Sequence, residues 1–276
     1  MSAIDNRAVR PLAAGDYLRL WRQRRRMSQL DFALEAEISQ RHLSFMESGR
    51  ATPSREMLMR LAERLDVPLR ERNAMLLAGG YAPMFAERTL DDPAMAAARQ
   101  AIELVLKGHE PFPALAVDRH WNLVAANAAL QPMLAGVTDL SLLEPPVNVL
   151  RLSLHPGGVA PRIANLAEWR MHIFDRLRRQ IAVTGDAVLG ELLNELMAFP
   201  VAGGVASLHQ GAPTDHGGVV VQLQLATEAG LLSFFSTTTV FGTPRDITLE
   251  ELALEAFYPA DAETAEALRR IAGSAA

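Results

Sequence analysis

The chain of 276 residues has no cysteine. Disulfide frameworks, thiol nucleophiles, iron–sulfur clusters and thiolate zinc sites are therefore excluded, and seven scattered histidines remain as soft metal ligands. Long apolar runs are missing too, so no segment reads as a membrane span. Residues 1–15 carry Asp5, Arg7 and Arg10 with no apolar stretch after them, which gives no secretory signal; the expectation is a cytoplasmic protein with no membrane partner. Enzyme signatures are equally lacking: there is no G-x-S-x-G elbow, Walker A loop, G-x-G-x-x-G fingerprint or H-E-x-x-H pair. His155 beside Pro156-Gly157, and His209 with His216, lie in Gly/Pro-rich loops without a carboxylate pair, and read as solvated histidines rather than a metal site. Neither a metal nor a catalytic cofactor is expected.

What is present is ordinary globular composition, 49% hydrophobic and 21% charged, with length for one large or two modest domains. The net charge of −5 would argue against a polyanionic partner if it were evenly spread. It is not. Through Leu90 there are 15 basic against 11 acidic residues, and from Asp91 onward 12 against 21. The first part suits contact with phosphate and the remainder would be repelled from it. Arginine is strongly preferred over lysine throughout.

The first 80 residues read as five consecutive short helices. Leu18 and Trp21 are three apart in the first, residues 16–25, with arginines on the other faces. Ser28 with Asp31 forms a capping-box pattern opening residues 29–36. A very short connection at Ile38-Ser39 follows, and Ser39 can cap residues 40–48, where Leu43 and Met46 are spaced i, i+3 before Gly49 stops the helix. Pro53-Ser54 opens a fourth helix with Leu58, Leu61, Ala62 and Leu65 as its buried stripe, and residues 69–78 supply a fifth.

Two short helices joined by a tight turn can seat the second in a DNA major groove while the first braces it. The run SQLDFALEAEISQRHLSFMESGRATPS resembles the phage-repressor-like, or Xre-family, helix-turn-helix. Ser28-Gln29, Phe32-Ala33, Ile38-Ser39, Leu43, Met46, Glu47, Gly49 and Pro53-Ser54 carry the likeness. It departs at Arg26 and Glu37, where many relatives have glycine for a left-handed turn. On this reading Gln40, Arg41 and Ser44 face the bases, Arg41 offering guanine a bidentate pair and Gln40 adenine. Gln29, His42 and Arg50 hold phosphates and position the helix.

Beyond a linker and connecting helix the texture changes. Residues 112–118 and 121–125 are short β-compatible runs, residues 127–134, 142–154, 167–179 and 186–198 look helical, and residues 219–227 and 231–241 form an antiparallel hairpin. Residues 249–257 fit either a third strand or a helix, and Asp261 caps a terminal helix. FPALAVDRHWNLVAANAAL, LRLSLHPGGVAPRIANLAEWR, LLSFFSTTTVFGTP and FYPADAETAEALRRIA resemble the MmyB-like ligand-binding domain found behind Xre modules. The resemblance implies a PAS-like antiparallel sheet, helices over one face, and an apolar pocket for a fatty acid. Trp121, Leu123, Trp169, Ile173, Phe234 and Phe241 are apolar groups suited either to core packing or to lining such a pocket. Arg151, Arg162 and Arg170 are candidates to hold a ligand carboxylate.

The expected architecture is thus two-domain: an all-α five-helix helix-turn-helix domain at 1–80, a linker and connecting helix at 81–108, and an α+β PAS-like domain at 109–276. The expected function is transcription regulation through double-stranded DNA, modulated by a small apolar ligand, with a homodimer matching two half-sites. Two rival readings are a DNA-binding protein whose second domain serves only assembly, and a small-molecule enzyme.

Overall fold

The computed structural model describes residues 12–200 and 221–274. They divide into two units, residues 12–87 with 245–250, and residues 88–200 and 221–244 with 251–274. Val219, Val220, His209 and His216 lie outside the described residues.

The first unit holds α1 (Ala14–Arg24), α2 (Gln29–Glu35), α3 (Gln40–Glu47), α4 (Arg55–Arg64) and α5 (Leu69–Ala78), the five helices expected. Their apolar stripes meet in one cluster, with Leu18, Trp21, Phe32, Leu43, Leu58, Leu61 and Leu65 fully buried. Removing a buried Leu of this kind costs about 2–5 kcal/mol. Gly15 lets α1 approach α3 closely, since a Cβ there would sit 2.2 Å from the Met46 carbonyl oxygen. Ser28, Ser39 and Ser54 cap α2, α3 and α4 through their hydroxyls.

The helix ends share one device. Arg26, Glu37, Gly49 and Asp66 all have positive φ. Each lies just past a helix, and the next residue's N–H returns to a carbonyl in the last turn, as in Met27 to Arg22, Ile38 to Ala33, Arg50 to Phe45 and Val67 to Ala62. The left-handed turns expected at Arg26 and Glu37 therefore form without glycine. A short helix, α10 (Ile247–Glu250), completes this unit. The Glu250 carboxylate accepts the Leu69 N–H at 2.7 Å, capping α5 where Pro68 provides no side-chain acceptor.

The second unit is an α+β domain. Strands β1 (Ala114–Val117), β2 (Leu123–Ala126), β3 (Leu223–Thr227), β4 (Gly230–Val240) and β5 (Ala253–Pro259) form an antiparallel sheet ordered β2-β1-β5-β4-β3. Helix α6 (Ala96–Gly108) packs Ile102 and Leu106 on one face, against Ala114, Ala116, Leu252 and Leu254. Helices α7 (Val149–Leu154), α8 (Leu166–Thr184) and α9 (Ala187–Ala198) cover the other, and α11 (Ala262–Ser274) follows β5.

Two expectations need correction. Residues 142–154 are not one helix: a 3-10 turn at Leu140–Leu143 gives way to the Pro145-Pro146 pair, and α7 starts only after Asn148 caps it. Two prolines remove two N–H donors and push the preceding backbone out of the helical region. Residues 249–257 split between the end of α10 and β5, so the strand reading prevails for the second half.

Candidate functional site

Gln40, Arg41 and His42 form the first turn of α3 and are exposed, and Ser44 is half-buried one turn on. Leu43 and Met46 point the opposite way into the core. The helical period thus presents one polar face outward, with the Ser39 hydroxyl accepting the His42 N–H at 3.1 Å. Phe45, which sequence reasoning passed over, stands between two guanidinium groups: Arg41 at 5.2 Å and Arg50 at 5.7 Å from its ring. Stacking of this kind restrains long arginine side chains before any ligand arrives. The signal was the i, i+4 spacing of Arg41 and Phe45 on α3.

Behind this face lies a buried ionic knot. Glu47 accepts both arms of Arg22, at 2.6 and 2.8 Å, and the Gln29 amide at 2.8 Å. The hydrogen bonds that Arg22 donates to Glu47 raise its pKa against the opposing effect of burial. One carboxylate therefore ties α1, α2 and α3 together. Gln29, assigned from sequence to phosphate, has its side-chain amide committed to Glu47, so of the three positioning residues His42 and Arg50 are the ones left exposed.

The second unit contains a cavity of about 420 Å³ between the sheet and the helices over it, within the usual range for a small-molecule site. Trp121, Leu123, Trp169, Ile173 and Phe234 line it. Phe241 does not; it packs against the α6 side of the sheet, because it follows the end of β4. The three arginines proposed for a carboxylate are also elsewhere. Arg151 forms a two-pronged pair with Glu195 at 2.7 and 2.8 Å, Arg162 donates to the Met133 carbonyl, and Arg170 donates to the carbonyls of Leu196 and Phe199. Burial lowers the pKa of both Arg162 and Arg170.

The charged groups that do line the cavity are Arg176 and Glu255, together with the imidazole of His172. Arg176 donates to both carboxylate oxygens of Glu255, once at 3.0 Å and once closer, and to the Thr238 hydroxyl at 2.7 Å. Thr238 in turn donates to Glu255 at 2.8 Å. The guanidinium lies 4.4 Å from the Trp121 ring. Burial, then the nearby Arg176 charge, hold the His172 imidazole below its usual range, and the ring stacks on Trp169. Sequence gave a faint signal: Trp169, His172, Ile173, Arg176 and Leu177 share one face of α8, so two polar residues interrupt an apolar stripe. Glu255 gave less, because its alternation with Leu254 reads as solvent-facing when only one side of the strand is assumed covered.

Trp121 itself has φ of 68°, a left-handed conformation that is costly for a bulky residue. Its N–H donates to the Asp118 carbonyl and its indole N–H to Gln180 at 3.0 Å.

Among the described residues no group of three or more His, Asp or Glu could hold a metal, and no helix is long and apolar enough to cross a membrane. Residues 98–271 match the MmyB-like transcription regulator ligand binding domain. Residues 18–72 match a helix-turn-helix family. No curated protein matches the chain.

Proposed function

The chain belongs to the MmyB-like transcription regulators, its ligand binding domain following a helix-turn-helix, and from that premise we propose a sequence-specific DNA-binding regulator acting in the cytoplasm whose hold on DNA answers to an apolar ligand. The observation that carries the DNA half is the outward face of α3, where Gln40 and Arg41 are exposed at the helix start. Amide and guanidinium groups so placed match the edges of adenine and guanine in the major groove. Gln40, Arg41 and Ser44 read bases in this proposal, and His42 and Arg50 hold phosphates. Gln29 acts by securing Glu47 and through its place at the α2 N-terminus.

A single recognition helix buries little surface, so we take the acting form to be a homodimer on two half-sites. Selection from a random duplex library tests both points. An enriched inverted repeat is the expected result; recovery of sequences no different from the input would overturn sequence-specific binding.

For the second unit, the cavity favours an occupant with an alkyl or acyl chain of the fatty-acid class, since most of its wall is aliphatic or aromatic. Regulation requires the ligand to bind two arrangements of the protein with different affinity. One covalent feature supports such coupling. The stretch 245–250 counts with the helix-turn-helix unit, yet it connects β4 to β5, and both strands contribute cavity residues. The rival in which this domain serves assembly alone gains nothing from an apolar cavity of this size. Mass spectrometry of the natively purified protein separates the two: a co-purifying chain is expected, and a protein that stays empty and ignores alkyl-chain ligands in thermal-shift measurements favours assembly.

A further inference from the structure

The outward face of α3 holds one side chain that hydrogen bonding does not account for. Outside the core this helix presents Gln40, Arg41, His42 and Ser44, all polar, and Phe45. The cluster beneath takes Leu43 and Met46 from α3 and not Phe45, which stays half-buried one turn beyond the exposed Arg41. The groups over its ring are the guanidiniums of Arg41 and Arg50, at 5.2 and 5.7 Å. The backbone here is fixed: the Phe45 carbonyl accepts the N–H groups of Arg50 and Ala51, at 2.8 and 3.1 Å, and the Ser48 hydroxyl at 3.3 Å.

In the reading above Arg41 meets guanine and Arg50 a phosphate, so the ring between them lies against the base edges of the same groove. Base pairs show the major groove donors and acceptors, and the one methyl group among them is the 5-methyl of thymine. A phenyl ring pressed on a donor or acceptor strips its water and returns no bond, which costs free energy. Against a methyl group the same ring forfeits nothing and removes apolar surface from water. A helix in the groove advances about 5.4 Å per turn, against about 3.4 Å per base pair, so the base met by Phe45 lies within about two pairs of the guanine met by Arg41.

We propose that Phe45 is a specificity-determining residue that reads the 5-methyl group of a thymine near the Arg41 guanine. This rests on the DNA reading above and deepens it. The test uses the full-length protein and the duplex recovered by selection, with each thymine of a half-site replaced in turn by deoxyuridine, which removes the methyl group and keeps every hydrogen-bonding group. One such replacement, within that distance of a guanine, is expected to weaken binding about fivefold. Phe45→Ala should bind the thymine and deoxyuridine duplexes alike. 5-Methylcytosine presents the same methyl on another base, so cytosine and 5-methylcytosine at that position form a second arm, in which methylation should tighten binding by a like factor. Thymine binding more tightly than 5-methylcytosine identifies thymine as the carrier, and the reverse order would overturn that assignment. A wild-type protein indifferent to deoxyuridine at every position would overturn the proposal, leaving Phe45 a spacer between two arginines and the DNA reading intact. A deoxyuridine effect that persists in Phe45→Ala would assign the methyl group to another residue. The wild-type measurements stand as a test even if Phe45→Ala fails to fold. If selection enriches no sequence, the DNA reading falls and the Phe45 proposal falls with it.

Discussion

Arg41 and Arg50 share a chemistry and a neighbour, since both stack on Phe45, yet their places differ. Arg41 is in the first turn of α3, and Arg50 lies past its end, where its own N–H closes the helix on Phe45 at 2.8 Å. Arg41→Ala is expected to cost about 1–3 kcal/mol on the preferred duplex and to relax preference at one base position. Arg50→Ala is expected to weaken all duplexes alike and to reduce the salt dependence of binding by about one phosphate contact. Binding titrations on selected and random duplexes distinguish these outcomes; equal losses on both from Arg41→Ala would remove it from the base-reading set. At this scale the sequence located the exposed start of α3 and five of the six apolar cavity residues, and misplaced the charged ones. That Gln40 and Arg41 are exposed follows from their position in a capped helix whose Leu43 and Met46 turn inward. The roles of Arg151, Arg162 and Arg170 depend on which acceptor each meets across the chain, and none of the three lines the cavity.

The tight turn between α2 and α3 depends on Glu37, which holds φ of 55° while exposed. A non-glycine residue in that region pays about 1–2 kcal/mol in steric strain, against which glycine carries a larger loss of freedom on folding, about 0.5–1 kcal/mol. Glu37→Gly should accordingly raise the stability of the helix-turn-helix unit by roughly 0.5 kcal/mol, measured by denaturant unfolding, without altering DNA preference. A drop in stability would show that the Glu37 side chain contributes more than its backbone costs. The helices of this unit were legible almost to the residue because their caps and stripes are local. Residues 142–154 were less so, since the apolar spacing on both sides of Pro145-Pro146 concealed the break between them. In β5 the difficulty was different. Both faces of the strand are covered, Leu254 by α6 and Glu255 by α8, and alternation alone does not say which face carries function.

Taken as a whole, the chain pairs a basic first part with an acidic remainder, and the segment 245–250 returns from the acidic part to complete the basic unit. Glu250 caps α5 there through the Leu69 N–H. Glu250→Ala should therefore destabilise the helix-turn-helix unit, by about 0.5–2 kcal/mol as for other lost helix caps, although the residue lies far from that unit in sequence. It should also weaken any effect of ligand on DNA affinity. Unfolding curves and paired DNA titrations with and without a fatty acid check both; unchanged unit stability would deny the cap its role.

The sequence by itself determined the two kinds of domain, the exposed polar start of α3 and the apolar character of the second domain's interior, because each follows from short-range periodicity, capping and motif spacing. Only the tertiary structure decided which charges meet. Arg176 and Glu255 are 79 residues apart and become partners because α8 crosses the face of β5, and Glu250 reaches Leu69 across 181 residues. Pairings of that range are fixed by how elements pack, and local pattern carries no record of them.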